Sequence, residues 1–77
     1  MAATTQQLAR REKFGVNVRL LREARGLTQE SLAHAAGLDR TYVGSVERGK
    51  RNISLDNIWL LADTLGVEPA VLLGLGN

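Results

Sequence analysis

The sequence predicts an all-α protein, five short helices packed as one compact bundle. Three observations carry that expectation. Apolar residues recur at spacings of three and four, and no stretch alternates as a strand does. Capping residues open successive stretches and glycines close them. Only Phe14, Tyr42 and Trp59 are aromatic in a chain that is 44% hydrophobic, so the core must be built from Leu, Val and Ile. At 77 residues, with no internal repeat or linker, residues 1–77 form one domain, and without cysteine no disulfide assists its core.

The elements follow in order. Residues 1–7 are small and polar and are expected to fray. From Leu8 to Arg25 the pattern is helical, with Phe14, Val18 and Leu21 on one face and Gly26 after a basic last turn. Thr28 stands as the N-cap of a short second helix that turns Leu32, Ala33 and Ala36 inward and ends at Gly37. Asp39 caps the third. Leu38 before it and Val43 four residues after it have the arrangement of a hydrophobic staple. That helix turns Val43 and Val46 inward, runs to Arg48 and stops at Gly49; Lys50-Arg51-Asn52 make a basic loop. Ser54 caps the fourth helix, where Leu55, Ile58, Leu61, Ala62 and Leu65 share one face up to Gly66. Glu68-Pro69 opens a last short helix through Leu73.

The net charge of +2 is a sum of two unlike parts. Residues 1–52 hold all ten Lys and Arg against five acids, a net of +5; residues 53–77 hold three acids and no base, a net of −3. A chain divided this way offers one part to a polyanion and keeps the other for a different contact. Other classes fall away. No apolar stretch approaches the roughly 20 residues that span a bilayer, and MAATTQQLARR has no apolar segment of the secretory kind. The expected compartment is therefore the cytoplasm. His34 is the only histidine, and no nucleophile–base pair, metal-ligand cluster or phosphate loop stands out. The chain is not expected to be an enzyme, and no cofactor, metal or small-molecule ligand is expected.

Gly37-Leu38 joins two short helices in a tight turn, the layout of a helix-turn-helix whose second helix enters the DNA major groove. The start of that helix presents Arg40, Thr41, Tyr42 and Ser45, and the basic loop follows at once. Arginine forms two hydrogen bonds to guanine, so Arg40 is the first candidate for reading a base; a phosphate contact is its other reading. Tyr42 is either a phosphate contact or a packing residue. Gln29 lies at the start of the second helix, where free N–H groups favour a phosphate. Lys50, Arg51 and Asn52 are placed to hold the DNA backbone, giving affinity without sequence information.

The run LTQESLAHAAGLDRTYVGSVERGKR (27–51), with VRLLRE before it and LADTLGV after it, resembles the Cro/CI-like, or Xre, family of helix-turn-helix regulators. The likeness covers about residues 14–73. Within that family, DRTY followed by VERGKRNIS is similar to the controller proteins of restriction–modification systems. The resemblance implies a lambda-repressor-like fold and a sequence-specific transcriptional regulator, repressor or activator, on double-stranded DNA. It implies that Thr41 and Ser45 stand where phage repressors touch bases, that Gln29 clamps a phosphate, and that Arg22 pairs with Glu47 as a structural ion pair. Gly44 departs from the family, which usually carries serine or a longer side chain at this base-contacting position. Glu30 stands where some relatives touch RNA polymerase, while His34 replaces an acid of the best-known activator.

The C-terminal part carries more apolar residues than one bundle face buries. Trp59, Leu60, Val71, Leu72 and Leu75 are expected at a homodimer interface within residues 54–75. Such a dimer presents two recognition helices roughly 34 Å apart to a near-palindromic operator. The competing reading is an antitoxin-like or adaptor module that offers the same face to another protein.

Overall fold

A computed structural model describes residues 2–75. Its helices are α1 (Thr5–Ala24), α2 (Gln29–Ala36), α3 (Arg40–Glu47), α4 (Leu55–Leu65) and α5 (Pro69–Leu72), and the described residues include no strand. Local chemistry sets these bounds. The Thr28 hydroxyl accepts from the Ser31 N–H at 3.0 Å while Ser31 Oγ accepts from the Thr28 N–H at 2.8 Å, a reciprocal cap. Asp39 accepts from the Thr41 N–H at 2.7 Å, and Ser54 from the Asn57 N–H at 3.2 Å. Past each helix a glycine takes a positive φ: Gly26, Gly37, Gly49, Gly66 and Gly74. At Gly37 this matters most. Its φ of 70° lets the Leu38 N–H reach back to the Ala33 carbonyl at 2.8 Å, which turns the chain between α2 and α3 in three residues, Gly37 to Asp39.

One boundary differs from expectation. The expected frayed start does not extend to residue 7, because α1 begins at Thr5. Thr4 Oγ1 accepts from the Gln7 N–H at 3.0 Å and Gln7 Oε1 accepts from the Thr4 N–H at 2.9 Å. The polar residues that looked like a loose end are a capping box.

The core is aliphatic. Val18, Leu32, Val43, Leu61, Leu65 and Leu72 are fully buried, with Phe14, Ala33, Ala36, Val46 and Ala62 around them. α3 packs on α1 and α2, α2 on α4, and α5 closes against α1 and α4. Asn17 Nδ2 donates to the Leu72 carbonyl at 2.9 Å and ties α5 to α1. Two expectations are corrected here. Leu72, assigned to a dimer interface, is a core residue: on a four-residue helix it is the one side chain that points wholly inward. Leu55, placed on the buried face of α4, is 68% exposed. It lies in the first turn of α4, and the rest of that face carries the packing.

Candidate nucleic-acid interface

α3 divides between an exposed start and a buried second half. Val43 and Val46 are buried, whereas Arg40 and Thr41 are exposed. Its position is set by a close approach to α1. A Cβ on Gly15 would collide with the backbone carbonyls of Val46 and Glu47, so only glycine lets the two helices meet there.

Behind α3 lies a polar network. Arg22 donates through Nε to Glu47 Oε2 at 2.7 Å and through Nη2 to Glu47 Oε1 at 3.0 Å, a two-pronged pair. A third donor, Arg22 Nη1, reaches the Leu27 carbonyl at 2.8 Å. Gln29 Nε2 donates to Glu47 Oε1 at 3.1 Å. The Glu47 side chain is only 3% exposed, so its charge depends on these donors. The bond to Glu47 holds the Arg22 pKa above its ordinary value, against the opposing effect of burial. One buried pair thus joins α1, the loop before α2, the first residue of α2 and the last residue of α3. It also fixes Gln29 beside the recognition helix.

The predicted contact residues divide. Arg40, Thr41, Lys50, Arg51 and Asn52 are exposed, and Gln29 and Tyr42 half-buried. Ser45 is not available to a base. It is 7% exposed, its Oγ donates to the Tyr42 carbonyl at 2.7 Å, and the same oxygen accepts from Arg51 Nε at 2.8 Å. A serine in a helix back-bonds readily, and the arginine then covers it. Gly44 is corrected on similar grounds. It is buried, with Arg48 Nη1 and Gln29 Oε1 standing 3.2 and 3.4 Å from where a Cβ would lie. Other side chains therefore occupy the space over Gly44. The sequence placed Arg48 at the end of the third helix with no contact assigned; in the structure its side chain reaches back over α3 to Gly44. The helical spacing Arg40, Gly44, Arg48 contained that signal.

Tyr42 and Arg51 form a second cluster. The Arg51 guanidinium lies 5.2 Å from the Tyr42 ring centroid, and the Tyr42 hydroxyl accepts from Asn57 Nδ2 at 3.0 Å. The ring packs, while its hydroxyl proton remains available to an acceptor outside the protein. Among the described residues no carboxylate pairs with Arg40, Arg48, Lys50 or Arg51. The exposed side of α3 and its following loop is therefore strongly positive, and among the described residues no group of acids and histidines there could hold a metal.

Trp59, Leu60 and Leu75 are exposed, at 51%, 37% and 78%, and Val71 is half-buried. No helix among the described residues is long and apolar enough to cross a membrane.

This geometry has known counterparts. The chain is 48% identical over 61 residues to the control protein C.BamHI of Bacillus amyloliquefaciens, covering 78% of this chain and 75% of that one. The crystal structure of the restriction–modification controller protein C.AhdI from Aeromonas hydrophila matches with a TM-score of 0.81 at 58% identity, over 83% of this chain and 97% of that one. The controller protein C.Esp1396I, solved as a tetramer on its natural 35-base-pair operator, matches with a TM-score of 0.76 at 31% identity, over 92% and 90% of the two chains. The helix-turn-helix profile matches residues 18–72, which hold α2, the Gly37 turn and α3, and by that match the chain belongs to the helix-turn-helix family.

Proposed function

We propose that this chain is a sequence-specific DNA-binding transcriptional regulator of the restriction–modification controller type, acting as a homodimer on a near-palindromic operator. One observation carries the reading: a short, rigidly held α3 presents Arg40 and Thr41 to solvent with cations on its flank and no carboxylate paired to them among the described residues. α3 enters the major groove, Arg40 reads a base edge, and Thr41 supports it. Gln29, Tyr42, Lys50, Arg51 and Asn52 hold the sugar–phosphate backbone and set register. The named relatives support this as control proteins, and C.Esp1396I as an operator-bound tetramer. Trp59, Leu60, Val71 and Leu75 form the dimer contact in the base-free end of the chain, which does not compete for DNA. Glu30, exposed in the first turn of α2, offers RNA polymerase an acidic contact. The working compartment is the bacterial cytoplasm, at the nucleoid.

The test is selection of bound duplexes from random DNA, followed by titration of variants. Selection should return two related half-sites about one helical turn apart. Arg40→Ala should cost about 1–3 kcal/mol on the selected operator and relax the preference at one base position. Lys50→Ala should weaken operator and random DNA alike and flatten the salt dependence. Equal reductions on both duplexes for Arg40→Ala would remove its base-reading role.

A further inference from the structure

Between the first half of α1 and the loop after α3 lies a cleft of about 180 Å³ to which base reading by α3 assigns no part. Its rim brings together Arg10 and Arg11 from the first half of α1 and Arg51 and Asn52 from the loop after α3. Its floor is apolar, with Phe14 and Ile58 among the lining residues. None of the three guanidiniums is paired with a carboxylate among the described residues. Arg51 is held in place by its bond to Ser45 Oγ and by the Tyr42 ring. Three like charges around a space this small repel one another, and an anion seated between them relieves that repulsion. The cleft is continuous with the loop assigned to the DNA backbone, since Arg51 and Asn52 belong to both.

We infer that Arg10 and Arg11 form, with Arg51 and Asn52, a second seat for the DNA backbone, in which guanidiniums take phosphate oxygens and the apolar floor meets the sugar. The inference rests on the DNA-binding reading and extends it to α1, which otherwise serves as scaffold. The capped start of α1 gains a purpose by this: Thr4 and Gln7 hold the first turn so that Arg10 and Arg11 project from a formed helix. The seat is sequence-independent, because arginine on phosphate carries no base information.

The experiment compares wild type, Arg10→Ala/Arg11→Ala and Arg10→Lys/Arg11→Lys on the selected operator and on a mixed-sequence duplex of about three helical turns, across a salt series. Arg10 is exposed and Arg11 half-buried, and alanine is the best helix former at both, so the double variant should keep its circular dichroism and urea midpoint. Its affinity should fall on the order of tenfold on both duplexes, and the slope of log K against log salt should become shallower by about 0.9 for each phosphate that is no longer neutralised. Lysine should restore most of the slope, since it serves phosphate as a point charge. An alanine variant with wild-type affinity and slope, while Lys50→Ala is reduced in both, would sink the inference and leave the DNA reading standing. A wild type that binds no duplex at any salt would remove the DNA reading, and the backbone seat with it. Stabilisation of wild type by decanoate, abolished in the alanine variant while DNA affinity is unchanged, would assign the cleft to an amphiphilic anion and overturn the backbone seat.

Discussion

Arg22 shows how one side chain supports several segments. Three of its donors are engaged, two on Glu47 and one on the Leu27 carbonyl. Arg22→Ala leaves the Glu47 carboxylate buried with Gln29 as its remaining side-chain donor. The expected loss is about 3–5 kcal/mol, read as a lower urea midpoint. The pH behaviour follows from the raised Arg22 pKa. A base whose pKa is raised on folding contributes stability that is complete below its ordinary value and is lost only as pH rises through the raised one. The gap between wild type and Arg22→Ala should therefore stay constant from neutral into mildly alkaline solution. A gap that closes there would show that the pair is not formed. The pairing was legible in the sequence only through resemblance, because a spacing of 25 residues carries no local signal.

At the scale of elements, the placing of α3 depends on Gly15. Mid-helix glycine costs about 1 kcal/mol against alanine, so Gly15→Ala would be stabilising in a free helix. Here the new methyl meets backbone oxygens of Val46 and Glu47, which cannot swing aside as a side-chain tip can. Overpacking of about 1–3 kcal/mol should outweigh the gain, so the urea midpoint of Gly15→Ala should fall. A midpoint that rises would mean that α1 and α3 do not touch at this point. The helices themselves were legible from caps and glycines, and α2 to α5 lie where those signals put them. α1 was the exception. The stretch from Thr4 to Gln7 that opens it carries no apolar residue, and composition read it as a tail.

For the whole molecule, the apolar residues of the C-terminal part divide between two duties. Leu61, Ala62, Leu65 and Leu72 close the core, while Leu55, Trp59, Leu60 and Leu75 remain in solvent. Leu72→Ala should cost about 2–5 kcal/mol through the cavity it opens, whatever the protein concentration. Trp59→Asp should leave the helical circular dichroism intact and, in sedimentation, convert dimer to monomer. With one half-site per monomer, operator affinity should fall together with the dimer. A Trp59→Asp protein that still sediments as a dimer would place the interface elsewhere.

What the sequence by itself determined was local: the all-α class, the glycine ends, the caps of α2, α3 and α4, the basic part and the acidic part. Those properties reside in neighbouring residues and in composition, so they survive without knowledge of the fold. Tertiary structure decided which polar and apolar residues are accessible. Ser45 has the helical position of a reader yet lies under Arg51, and Leu72 has the composition of an interface yet fills the core. It also decided that Arg10 and Arg11, some forty residues before Arg51, share a cleft with it. Accessibility and juxtaposition depend on which helix faces meet, and that is fixed only when the whole chain has buried its apolar surface.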